Sequence, residues 1–273
     1  MTTNTCISKP ERDSTIDSLK GIGIIAVVVG HLTYWVNDFI FSFHMPLFFI
    51  VAGYLYRPRP LKETLRKDAK RLLLPYFTTA SFLLLFAVLL GIYLHSFGGL
   101  KAHIISILFA SGSRGHSSIY WAKAPAIGAI WFLWAMFWCK TTYNLIEQKS
   151  SSKNTTAIIC VAVSAAAIAV DRLLINLPLA LLPGLGALIF YWAGRKLKEL
   201  GGYRQIPLWI LAVGATLWCV SFLFFKMSMV RCYYQSHIIC ILGAIGGVLC
   251  IWALIDAQLR VFKLGGGIPL ILR

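Results

Sequence analysis

Eight apolar runs of membrane-spanning length, separated by short polar stretches, constrain this chain more than any motif in it. They cover about residues 19–36, 39–56, 72–94, 126–143, 155–170, 177–194, 206–225 and 237–255. A spanning helix needs roughly 20 mostly apolar residues to cross a hydrocarbon core of about 30 Å. A chain of 273 residues therefore holds about eight to ten such spans and no separate soluble domain. Composition agrees, since 58% of the residues are hydrophobic and 13% charged, against about half and a quarter in soluble proteins. The expected fold is all-α, a polytopic transmembrane bundle of about eight spans. Residues 104–110 form a ninth apolar patch, too short to cross and read as re-entrant or interfacial. The polar stretch 1–10 does not read as a cleavable signal, so the first span is expected to be retained.

The formal net charge of +16 does not point to nucleic acid, because the 26 basic residues fall between the apolar runs instead of forming a stripe with stacking aromatics. With the N-terminus inside, all of them except Lys101, Arg114, Lys123, Arg172, Lys226 and Arg231 lie on the cytoplasmic side. Positive-inside bias then favours an even number of spans, with both termini cytoplasmic. The densest basic loop runs from Arg57 to Arg71. It reads either as an anchor to anionic lipid or as a docking surface for a nucleotide phosphate. The seven cysteines contain no C-x-x-C pair and mostly sit inside apolar runs, so neither a zinc site nor a disulfide framework is expected.

Ionisable residues within a span are costly and call for a functional explanation. Asp17, Lys20 and His31 lie on the first span, and His44 begins the second after a turn containing Asn37 and Asp38. Lys20 and His31 are eleven residues apart, close to three whole turns, so they share a face and stand about 16 Å apart along the axis. This puts His31 around or beyond mid-membrane, where the two imidazoles can approach each other. Gly21, Gly23, Gly30 and Gly53 are expected to permit close helix packing. Trp131 reads as an aromatic-belt residue, and Asp171 with Arg172 as a solvated pair in an outer loop.

These residues also resemble a known family. The stretch from Ile16 through Asp17-Ser18-Leu19-Lys20-Gly21 to Gly30-His31 resembles the first-helix signature of acyltransferase 3 proteins, in particular the fucose 4-O-acetylase-like branch. Ser42-Phe43-His44-Met45-Pro46-Leu47-Phe48-Phe49 and the following residues to Leu55 are similar to that family's second helix. Arg71-Leu72-Leu73-Leu74-Pro75-Tyr76 resembles the entry to its third, and Ile130-Trp131-Phe132-Leu133 its W-F-L element. Lys20 stands where the wider family has arginine. The tail from Leu264 to Arg273 departs from the family's late glycine-serine motif, so residues 1–273 are expected to form one integral membrane acyltransferase domain with its final helices missing or altered.

The resemblance implies an O-acyltransferase of the cell inner membrane. It would move an acetyl or other acyl group from acyl-CoA to a hydroxyl of a cell-surface polysaccharide or lipid-linked glycan. Acetyl-CoA is the implied donor, with no metal; the partners are membrane lipid and the glycan acceptor, not nucleic acid. His31 is the expected general base, because a neutral imidazole takes a hydroxyl proton well near neutral pH and burial would keep it neutral. Asp17 forms a polar pair with Lys20 at the cytosolic mouth. Lys20, Lys70 and Arg71 hold the donor's phosphates, with Tyr76 beside them. His44 orients the base, binds the acceptor or stabilises the oxyanion. For Arg71, Pro75 and Tyr76 a plain membrane-entry role is the other reading. Two further classes compete with the enzyme: a small transporter or flippase using the histidines as a proton relay, and an inactive truncated acyltransferase.

Overall fold

The computed structural model describes residues 13–33, 35–97, 99–112, 126–172 and 177–265. The expected tail from Leu264 falls almost wholly outside them, as do Lys9, Arg12, Arg114, Lys123 and the side chains of Asp171 and Arg172. The described residues form an all-α membrane bundle. Its helices are α1 (Ser14–Leu32), α2 (Asn37–Phe41), α3 (His44–Tyr54), α4 (Leu61–Asp68), α5 (Leu74–Tyr93), α6 (Leu100–Phe109), α7 (Trp131–Lys149), α8 (Lys153–Arg172), α9 (Leu181–Gly186), α10 (Leu188–Glu199), α11 (Leu208–Phe224) and α12 (His237–Gly265). A two-residue ladder pairs β1 (Met227–Ser228) with β2 (Tyr233–Tyr234). α1, α8, α12 and the rod Leu61–Tyr93 are each long and apolar enough to cross a membrane. The patch at residues 104–110 forms most of α6.

Every apolar run of the sequence contains a helix, but two of the runs are broken. The second divides into α2 and α3 because Phe43 leaves helical geometry, with φ −134°. Ser42 holds the break: its hydroxyl donates to the Phe39 carbonyl at 2.6 Å and accepts from the Trp218 indole of α11 at 2.7 Å. The sixth run divides into α9 and α10. α3 and α10 then pack directly on each other. A Cβ added to Gly53 would come within 1.9 Å of the Tyr191 carbonyl oxygen, and one added to Gly194 within 1.9 Å of that of Ile50. Gly23 and Gly30 likewise receive Phe48 and Phe41 from α3 and α2, whereas a Cβ added to Gly21 would meet nothing within 4 Å.

α1 starts about one turn earlier than its apolar run because Asp13 caps it, accepting from the Thr15 and Ile16 amides at 3.0 and 3.4 Å. Thr15, Ile16, Leu19, Gly23, Ala26 and Gly30 form its buried stripe. Ion pairs gather at one end of the bundle, called here the basic end. Lys140 pairs with Asp68, Arg195 with Glu147 at 3.4 Å, Lys153 with Glu199 at 3.2 Å, and Arg204 with Asp256 at 2.6 Å. The bond to Asp256 pushes the Arg204 guanidinium above its ordinary range.

A buried polar knot fastens α4 to α7 there. Asn144, fully buried, accepts from the Tyr56 hydroxyl at 2.7 Å and donates to the Arg59 carbonyl at 3.0 Å and to the Thr64 hydroxyl at 3.3 Å. Replacing Asn144 with Leu strands the Tyr56 and Thr64 hydroxyls, whereas the Arg59 carbonyl keeps a bond from Gln148. We expect a loss of about 1–3 kcal/mol for each group left unpaired, read as a lowered melting temperature of the detergent-solubilised protein.

Candidate active site

Helical phase sets which residues can share a site. At 100° per residue, Lys20, Ile24, Val27 and His31 fall within about 60° of one another, beside the buried stripe of α1 and not opposite it. Lys20 lies near the basic end, 3.6 Å from Asp17, with both side chains partly exposed. The shared face of Asp17, Lys20 and His31 thus follows from their spacing. His31 occupies the last turn of α1 at the opposite end and is exposed. The expected burial of this imidazole is corrected, because the residues reaching α1 from α2 and α3 close over Gly23 and Gly30, to one side of His31.

The buried histidine among the described residues is His44, 7% exposed, its ring centroid 5.3 Å from that of Phe41 with the two planes tilted by 36°. The helix break explains its position. Breaking the helix at Phe43 makes His44 the first residue of α3, and its Nδ1 lies 2.8 Å from the Ile40 carbonyl oxygen. A carbonyl only accepts, so Nδ1 carries the proton in this bond and a neutral His44 presents Nε2 as an acceptor.

From Lys20 a cavity of about 690 Å³ opens between α1, α3, α4, α7 and α10. Its basic end carries Lys20, Arg57, Arg59, Lys67, Arg71 and Lys140, against the single acid Asp68. Asp68 is buried and paired with Lys140, Lys67 is paired with Glu63 and Lys20 with Asp17, which leaves Arg57, Arg59 and Arg71 to meet an anion. The walls turn apolar further in, at Ile24, Val51, Phe48, Phe132 and Met136. Phe48 follows His44 by one turn of α3, and Ile24 precedes His31 by two turns of α1. The lining of the cavity thus ends one turn of α3 short of His44 and two turns of α1 short of His31.

Two residues expected beside Lys20 are placed elsewhere. The Tyr76 hydroxyl donates to the Ile107 carbonyl at 2.5 Å, which ties α5 to α6, and the side chain is fully buried. Lys70 faces a neighbouring cleft on the outer side of α4, whereas Arg71 lines both. Trp131 is also buried, packed over Gly112, and not at a membrane boundary belt. Sequence reasoning missed Asp68, Lys140, Phe48 and Tyr191. For Lys140 there was one signal, a cation placed nine residues before the end of a helix whose other faces are aromatic.

Among the described residues, no three His, Cys, Asp or Glu side chains cluster to hold a metal, and Cys139, Cys160, Cys219, Cys232, Cys240 and Cys250 are free thiols.

Comparison with known proteins gives this arrangement a family. Residues 13–268 match the acyltransferase 3 family model, described as an acyltransferase domain. Nodulation protein NolL of Sinorhizobium fredii (strain NBRC 101917 / NGR234) is 30% identical over 142 residues, which cover 46% of this chain and 34% of the relative. Nodulation protein NolL of Mesorhizobium japonicum is 29% identical over 145 residues, with the same shares covered. The matched part of this chain thus spans about a third of the length of these curated relatives. No solved structure matches. With its family match running from the cap of α1 to beyond the end of α12, the chain belongs to the acyltransferase 3 family of membrane proteins.

Proposed function

We propose that this protein is a membrane O-acyltransferase that moves an acetyl or other acyl group from acyl-CoA to a hydroxyl of a cell-surface sugar or lipid-linked glycan. The observation that carries this reading is the cavity with six cations at its mouth and apolar walls that include Phe48, one turn of α3 from His44, and Ile24, two turns of α1 from His31. Its two halves match the two chemical characters of an acyl-CoA, an anionic nucleotide and a less polar acyl arm. The basic end is then cytosolic, both termini are cytoplasmic, and the acceptor meets the exposed His31 at the far side of the inner membrane.

In the transfer, the acceptor oxygen attacks the thioester carbonyl, forming the new C–O bond while the C–S bond breaks. His31 takes the hydroxyl proton and returns it to the departing coenzyme A thiolate, so the imidazole ends the cycle neutral. His44 accepts a hydrogen bond at Nε2 from the acceptor hydroxyl or from the His31 ring. A neutral His44 in this tautomer has no proton on Nε2 to offer an oxyanion, which leaves orientation or acceptor binding as its role. Lys20 and Arg71 hold the donor phosphates through charge-assisted bonds, and Asp17 keeps Lys20 at the mouth.

Sealed vesicles supplied with labelled acetyl-CoA test the reading directly. Label should pass to glycan or lipid-linked sugar only when the basic end of the protein faces the donor; transfer from either side, or none, would count against it. Lys20→Gln and Arg71→Gln are each expected to raise KM for the donor about tenfold with a smaller change in kcat. Unchanged KM values would remove the phosphates from this cavity.

A further inference from the structure

α4, the π-helical turn Ala69–Leu73 and α5 form one helical rod, Leu61–Tyr93, of 33 residues. At 1.5 Å per residue it is about 50 Å long, well over the roughly 30 Å of hydrocarbon. α5 takes up the hydrocarbon, and only Tyr76, Ala80 and Gly91 of it are buried in protein. Phe77, Phe82, Phe86 and Leu89 are exposed along it, so lipid chains cover the outer face of this helix. The α4 portion therefore lies at the depth of the headgroups.

At that depth the outer side of α4 carries a cleft of about 650 Å³ lined by Lys62, Arg66, Lys67, Lys70, Arg71 and Glu63. Glu63 is paired with Lys67 at 2.6 Å. Lys62, Arg66 and Lys70 recur at four-residue spacing, so they form one exposed stripe. None of these three lines the cavity that holds Lys20. The buried residues of α4, Thr64 and Asp68, face the other way into the bundle.

The structure assigns this cleft as a binding site for the headgroup of an anionic phospholipid, whose acyl chains lie along the exposed face of α5. Phosphate is the chemistry the three cations recognise, and only a lipid also uses the apolar surface continuous with the cleft. The site is independent of the acyl-transfer reading, although α4 also forms a wall of that cavity.

Native mass spectrometry of the purified protein during titration with short-chain phosphatidylglycerol, against phosphatidylcholine, tests the assignment. The wild type should bind phosphatidylglycerol preferentially. Lys62→Gln with Arg66→Gln should weaken that binding about 25-fold, at about fivefold per charge removed. The charge-preserving pair Lys62→Arg with Arg66→Lys should retain it, as should Lys149→Gln with Lys196→Gln, which removes two exposed cations elsewhere at the basic end. Undiminished binding in the first pair overturns the assignment. Displacement of the lipid by inorganic phosphate or by coenzyme A also overturns it, because the site would then be a water-facing phosphate site. Binding is read without turnover, so its loss leaves the acyl-transfer reading standing, and the converse holds equally.

Discussion

His31→Ala should lower acyl transfer by about 10²–10⁴-fold, the range over which a positioned general base accelerates a reaction. His31 is exposed, so its truncation opens no core cavity and the variant should melt where the wild type does. Donor KM should also hold, since the cationic mouth lies about 16 Å away along α1. His44 needs a subtler substitution because it is buried and bonded to Ile40. His44→Asn keeps an N–H for the Ile40 carbonyl and removes Nε2, so it separates the bracing of the helix break from a contact with acceptor or base. The proposed role predicts loss of transfer in His44→Asn with the fold retained. Full activity would reduce His44 to a brace.

The largest stability effect is expected from one methyl group at Gly53. Its Cβ would lie 1.9 Å from the Tyr191 carbonyl oxygen, a distance no real contact tolerates. α3 and α10 would have to separate by about 1 Å, and the packing that replaces a hydrophobic driving force between membrane helices would be lost. We expect Gly53→Ala to cost about 3 kcal/mol or more, and Gly194→Ala, which meets the Ile50 carbonyl at the same distance, to do likewise. Val51, Ala52 and Tyr191 line the cavity, so both variants should also weaken donor binding. Gly21→Ala is the matched control. It meets nothing within 4 Å and should leave the melting temperature close to that of the wild type.

Periodicity and length made the helices legible, since backbone groups in hydrocarbon must pair internally and leave a helix as the simple solution. The same periodicity put Lys20 and His31 on one face of α1. It could not reveal the break at Ser42, which depends on the Trp218 indole 176 residues further along the chain. Nor could it show that Asp68 would neutralise Lys140, a partner 72 residues away. Burial also escaped it: His31 is open and His44 closed because neighbouring helices pack over Gly23 and Gly30. Lys70 misses the cavity of Lys20 because it follows Lys62 and Arg66 at four-residue spacing on the outer side of the rod, where all three line the neighbouring cleft. The π-helical turn Ala69–Leu73 is a local departure that a straight phase count through residues 61–93 does not show.

The proposed transfer requires a path from the cationic mouth to the two histidines. An acyl-CoA carrying a photoreactive group at the acyl end, crosslinked in the membrane and mapped by peptide sequencing, tests that path most directly. Crosslinks are predicted on Phe41, His44 or Phe48 and on the α1 turn holding Val27 and His31, and should be lost when excess unlabelled acetyl-CoA is present. Crosslinks confined to α4 and α5, or insensitive to that competitor, would contradict it.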